Sequence, residues 1–140
     1  MSFDTESTLF EPVAAYLRRK GFRWQEKEVP FYEYRVDLYG FSRACGHTVA
    51  VELKLHKWQR ALQQAVLYQL CADFAYIAMP VSSIVRVNVE LLENHGIGLL
   101  AVRENGHCRQ VLPASRSTVV KKTYTKEYIK WLEGRAECHQ

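Results

Sequence analysis

A chain of 140 residues, 48% hydrophobic and 24% charged, has the length for a real core and the composition of an ordinary globular protein, which excludes a disordered or collagen-like chain. Nineteen basic against fifteen acidic residues leave a net charge of +4, a mild basic bias compatible with a polyanionic partner. No apolar stretch reaches membrane-span length, the opening Met-Ser-Phe-Asp-Thr-Glu lacks the regions of a signal peptide, and Cys45, Cys71, Cys108 and Cys138 show no CxxC spacing. The expectation is a cytoplasmic protein with reduced thiols, no membrane contact, and one domain over residues 1–140.

Thr5 or Ser7 is a candidate cap for a first helix that runs to Lys20, with Gly21 as its stop signal. Leu9, Phe10, Val13, Tyr16 and Leu17 share one face of it, and Pro12 fits only within the first turn, so the regular helix is expected to begin near Pro12. Residues 22–31 read as an irregular or edge strand interrupted by Pro30. Two short apolar runs follow, residues 35–40 (Arg-Val-Asp-Leu-Tyr-Gly) and 49–55 (Val-Ala-Val-Glu-Leu-Lys-Leu), both strands by length and β-branched content. The polar turn between them, residues 42–47, suits an antiparallel hairpin.

From 58 to 72 the pattern turns helical, with Trp58, Ala61, Leu62, Ala65, Val66 and Ala72 on one broad face. Residues 74–79 read as a continuously buried strand closed by Pro80. A short helix around 82–94 and a strand at 98–102 complete a core of about 5–103. Asn105-Gly106 is a turn signal that lets 108–112 pair back. A basic loop and a final helix, 123–132, occupy the C-terminal part (about 113–133), with a frayed end. The order predicts an α/β fold, a mixed central sheet flanked by helices.

The charges inside the two runs carry the chemistry. Side chains alternate in a strand, so Glu52 and Lys54 project from one face while Val51, Leu53 and Leu55 project from the other. Charges buried in a sheet are costly unless they are paired or bind something. Asp37 on the neighbouring strand completes a set suited to a metal and a phosphate; a salt-bridged patch on an exposed sheet face is the plain alternative.

This order and these charges resemble the PD-(D/E)xK nuclease superfamily, with its restriction-endonuclease-like αβββαβ core and members similar to Holliday-junction resolvases and RecB-like nuclease domains. The motif stands here as Val36-Asp37 followed by Glu52-Leu53-Lys54, with Val36 in the place of the family's proline. The resemblance implies a metal-dependent endonuclease that hydrolyses DNA. Asp37 and Glu52 would be ligands of one or two Mg²⁺ ions, for which Mn²⁺ can substitute, and the Leu53 carbonyl a further ligand. Lys54 would hold the attacking water or a phosphate oxygen. It also implies a carboxylate from the first helix: Glu6 falls on the inward face with Phe10, Val13 and Leu17, whereas Glu11 points away; Glu6 as a helix-start acid favoured by the dipole is the alternative.

Gln64 and Tyr68, four apart on the second helix, resemble the Gln-x-x-x-Tyr element of RecB-like nucleases, in which the glutamine orients the lysine and contacts the substrate backbone; Tyr68 is a candidate nucleic-acid contact beside it. Lys57 and Arg60 beside Trp58, and Arg116, Lys121 and Lys122 further on, are candidate phosphate contacts or simply solvated charges. Cys45-x-His47, His107-Cys108 and Cys138-His139 are poorly spaced for tetrahedral zinc. Nothing signals an organic cofactor. A homodimer is suggested by the aromatic content around Tyr32, Tyr34, Tyr124 and Tyr128. Two other functions compete: a non-catalytic nucleic-acid-binding or assembly module that keeps the nuclease fold, and an enzyme acting on another phosphate ester.

Overall fold

The computed structural model describes the backbone of residues 3–138 and side chains as far as residue 135. Its element order is a 3-10 turn (Glu6–Leu9), α1 (Phe10–Arg19), β1 (Trp24–Phe31), β2 (Tyr34–Phe41), β3 (Thr48–Leu53), α2 (Trp58–Tyr68), β4 (Phe74–Pro80), α3 (Val81–Ile84), α4 (Val89–Asn94), β5 (Gly98–Val102), β6 (Cys108–Leu112) and α5 (Lys122–Cys138). The six strands form one mixed sheet in the order β1-β2-β3-β4-β5-β6. The first three are antiparallel, β3, β4 and β5 run parallel, and β6 returns antiparallel. Among the described residues no helix is long and apolar enough to cross a membrane.

Strand alternation gives the sheet two apolar faces. Val49, Val51 and Leu53 of β3 pack with Leu9, Val13 and Leu17 on the α1 side. Ala50 lies on the other face with Tyr39, Ile77 and Met79, under Ala61, Ala65 and Tyr68 of α2 and Leu132 of α5. Each of the larger side chains buried here stabilises the fold by ~1.5–3 kcal/mol before entropy is counted. Glu52 is the charged member of the α2-facing row, and that fixes where the site is.

Most predicted elements are present, and the departures have local causes. The first helix opens as the 3-10 turn, and Pro12 stands in the first turn of α1, where no intrahelical N–H is needed. Pro30 is tolerated because β1 is the sheet edge. The strand expected to reach Leu55 stops at Leu53, since the Leu53 N–H bonds a side chain rather than β2. The helix expected to reach Ala72 ends at Tyr68, after which the N–H groups of Gln69, Leu70 and Cys71 bond three residues back and tighten the chain.

The single helix expected over 82–94 is two, α3 and α4, because the Asn88 side chain accepts the Leu91 N–H (3.1 Å) and starts a new helix there. The final helix runs beyond 132 to Cys138, where Arg135 pairs with Glu26 and Arg43 with Glu133, both at 2.6 Å, and hold its later turns to the β1–β2 side. The Cys138-His139 pair lies outside the described side chains.

Candidate active site

Asp37 sits where the sheet's ladders open on both sides of β2. Pairing with β1 passes from Lys27–Leu38 to Val29–Val36, skipping the Glu28–Asp37 position, and pairing with β3 stops at Leu38–Val51. Glu28 takes a left-handed backbone (φ 53°), a conformation costing ~1–2 kcal/mol for a residue with a Cβ. With no strand partner opposite, the Asp37 carboxylate itself accepts the Leu53 N–H at 2.8 Å. One residue earlier on β3, Glu52 is 5% exposed and accepts the Tyr68 hydroxyl at 3.1 Å. The same hydroxyl stands 3.1 Å from the Arg35 carbonyl, so its single proton serves two acceptors.

The two carboxyls lie within reach of one another, and both are held above the ordinary range. Burial pushes Glu52 up to about 8, the Asp37 charge adds to that, and the Tyr68 hydroxyl and Lys54 oppose it. Burial raises Asp37 as well, against the pull of the Leu53 N–H. Two acids that cannot both ionise cheaply keep a proton between them, or accept a cation in its place. Lys54, half-buried just past the end of β3, acts electrostatically on both; its N–H continues the sheet by bonding the Ala78 carbonyl at 3.0 Å.

Glu6 is the first-helix acid at this place. It lines a cleft of 360 Å³ with Asp37, Leu53, Lys27, Glu28 and Phe10, and its carboxylate accepts the Leu55 N–H at 3.3 Å. Glu11 points the other way and pairs with Arg18 at 2.7 Å on the outer surface. Among the described residues no three His, Cys, Asp or Glu side chains cluster tightly enough to hold a metal between them. The donors do fit a hard cation: two oxygen-ligand carboxylates carrying more negative charge than their surroundings neutralise, with the Leu53 backbone beside them. Mg²⁺ accepts such a set because it keeps several of its waters.

The remaining sequence candidates divide. Gln64 is half-buried one turn before Tyr68, and its Oε1 is buried with no hydrogen-bond partner among the described residues. Tyr68 departs from its expected role: it is completely buried and holds Glu52, so it is closed to a nucleic acid. Lys57 and Arg60 are exposed at the start of α2, Lys57 in a left-handed conformation (φ 56°) at the position before the helix. Lys121 and Lys122 are exposed where α5 begins, with the Lys121 N–H on the Leu70 carbonyl at 2.9 Å. Arg116 lies 4.0 Å from Asp73, away from the pair.

Cys45 is exposed, Cys108 is buried against the α1 side, and the His47 ring packs on Phe74. Sequence reasoning missed Lys27 and Glu28 as cleft residues. The signal was there in the alternating charges of Gln25-Glu26-Lys27-Glu28 on an edge strand, opposite the aspartate.

No protein-family model matches the chain, and no curated protein does. Among solved structures it is similar to the SPO1766 protein of unknown function from Silicibacter pomeroyi, with a TM-score of 0.74 and 23% identity over 99% of this chain and 90% of that one. SfsA from Pyrococcus furiosus, solved in complex with Ca²⁺, gives a TM-score of 0.42 and 13% identity over 83% of this chain and 64% of that one, too remote to argue from. The SPO1766 likeness establishes the fold, a mixed sheet flanked by helices, and leaves its chemistry to be argued from the side chains.

Proposed function

We propose that the protein is a Mg²⁺-dependent nuclease that hydrolyses phosphodiester bonds in DNA. The observation that carries this reading is the buried Asp37–Glu52 pair with Lys54 beside it, at the Leu53 end of β3, where the Asp37 carboxylate takes the Leu53 N–H. The order of elements supports it too. A helix, three antiparallel strands, a helix and a parallel strand are what the resemblance to PD-(D/E)xK nucleases calls for, with Val36-Asp37 and Glu52-Leu53-Lys54 on adjacent strands.

In this reading Asp37, Glu52 and the Leu53 carbonyl would hold the cation, with Glu6 on the cleft wall. The bound ion supplies charge neutralisation at the scissile phosphate and acidifies a water. The chain's own groups do the rest. The Leu53 N–H fixes Asp37 and the Tyr68 hydroxyl fixes Glu52, so neither carboxylate has to reorganise as charge develops. Lys54 presents its ammonium to a non-bridging oxygen or to the attacking water. The unpartnered Gln64 oxygen is an acceptor suited to holding that ammonium in one direction. Lys57 and Arg60 serve the flanking phosphates.

The test is cleavage of labelled linear, branched and single-stranded DNA in Mg²⁺ or Mn²⁺. Metal-dependent cutting is expected in the wild type, with a loss of about 10³-fold in Lys54→Ala. Binding that falls steeply with salt but no cutting in any metal would make the protein a non-catalytic module; neither binding nor cutting would remove nucleic acid from the reading altogether.

A further inference from the structure

The β1–β2 hairpin turns through two residues, Tyr32 and Glu33, between the paired Phe31 and Tyr34. Tyr32 has a left-handed backbone (φ 55°), whereas Glu33 does not. A two-residue hairpin with a positive φ only at its first position is where glycine is the favoured residue, because a Cβ there is strained. The chain places a bulky aromatic ring there instead, and leaves it 73% exposed. Strain held at a mostly exposed aromatic is a cost that glycine or asparagine would avoid, which marks the ring as a candidate for contact.

The ring is also braced. It meets Phe31 edge-on at 4.8 Å and Tyr124 at 6.0 Å, and its hydroxyl bonds the Tyr124 hydroxyl. Phe31 is nearly inaccessible and packs in turn on Tyr68, ring centres 6.5 Å apart, whose hydroxyl holds Glu52. Exposed cations stand around the brace: Lys121, one helical turn before Tyr124, Lys122 beside it, and Arg35 on β2, against the acids Glu33 and Glu127.

We propose that Tyr32 is a stacking platform for an unpaired nucleobase, with Lys121 and its neighbours taking the adjoining phosphates. The proposal rests on nucleic acid being the substrate, and deepens that reading: the strand presented to the Asp37–Glu52 site carries unpaired bases. A braced, exposed ring flanked by cations is the chemistry that grips a single strand without regard to sequence. A second copy of the chain fits the ring less well. One aromatic side chain contributes ~200 Å², far short of the ~800 Å² per partner that a stable interface buries.

The experiment measures binding of a fluorescein-labelled oligothymidylate by the full chain in EDTA, beside thermal melts of the same proteins. Tyr32→Asn is expected to weaken binding by roughly tenfold, with a melting temperature equal to or above the wild type's, because Asn tolerates the left-handed turn. Tyr32→Trp keeps the affinity. Wild-type affinity in Tyr32→Asn overturns the platform, as does a loss of binding that tracks a lowered melting temperature, or a dimer that dissociates while binding stays unchanged.

The nuclease reading fails separately. A wild type that binds single strands through Tyr32 but cuts nothing in Mg²⁺ or Mn²⁺ keeps the platform and loses the nuclease. A wild type that cuts, with Tyr32→Asn binding normally, does the reverse.

Discussion

The strand β3 has a buried acid near each end, and the fold treats the two in opposite ways. At the Thr48 end, Asp73 accepts the Thr48 N–H at 2.8 Å and the Thr48 hydroxyl at 3.1 Å, and returns its own N–H to that hydroxyl at 3.0 Å. Arg116 stands 4.0 Å away, and the Asp73 carbonyl takes the Ser117 N–H. Every charge and donor at that end has a counterpart inside the protein. At the Leu53 end, Asp37 has one N–H, Glu52 has one shared hydroxyl, and each faces the other's negative charge. Burial alone therefore does not mark a functional acid; a buried charge left unmet does.

Removing the satisfied acid gives the largest effect on stability. Asp73→Ala strips two bonds from Thr48 and leaves its buried N–H unpaired, and is expected to cost about 3 kcal/mol in urea denaturation. It should leave any stabilisation by Mg²⁺ unchanged; a stability within a few tenths of wild type would erase the contrast between the two ends.

The unmet acid answers with the opposite sign. With its folded pKa raised from 4.5 to about 8, Glu52 binds a proton more tightly in the folded chain than in the unfolded one. Its contribution to stability is complete below pH 4.5 and is lost as pH rises through 8. Glu52→Gln keeps an acceptor for Tyr68 without the charge, so it is expected to gain stability steadily over the wild type as pH rises through that window. Mg²⁺ at the same pH should stabilise the wild type and not the variant. Denaturation curves at several pH values that keep a constant gap between the two proteins would show that Glu52 is not held protonated.

How much of this could be read from the sequence follows from how local each feature is. The alternation around Glu52 is a property of the strand itself, so Val51 and Leu53 take one face and Glu52 the other as the spacing predicted; the structure adds that these are the α1 and α2 sides. Glu6 reaches the cleft and Glu11 points away as expected, although Glu6 does so from the 3-10 turn, to which the α-helical angles behind that expectation do not apply. The end of β3 did not, because it depends on a side chain sixteen positions back taking the Leu53 N–H. The length of α5 was hidden for a similar reason: its later turns are held by Glu26 and Arg43, far away in sequence. Asn88 was a legible cap inside the run read as one helix, and its signal was outweighed by the apolar pattern on either side. Tyr68 was misjudged because a helical angle says which flank a residue occupies, not how deeply that flank is covered.

Tyr68 supplies the finest division between the two ends, since its hydroxyl is the one neutral donor given to Glu52. The proton lies between two acceptors at equal distance, the Glu52 carboxylate and the Arg35 carbonyl. When Glu52 is ionised the carboxylate is the stronger acceptor and takes it. When Glu52 is protonated, the acid can donate to the phenol oxygen and leave the phenol proton to Arg35. Tyr68→Phe removes both arrangements while keeping the ring, so its cost should be about 1 kcal/mol where Glu52 is charged and smaller where it is neutral. The same change should push the Glu52 pKa higher still, because the lost bond favoured the ionised form. Comparing urea midpoints of the two proteins on either side of pH 8 measures this. An equal loss at both values would assign the hydroxyl to the Arg35 carbonyl alone and leave Glu52 without a fixed partner.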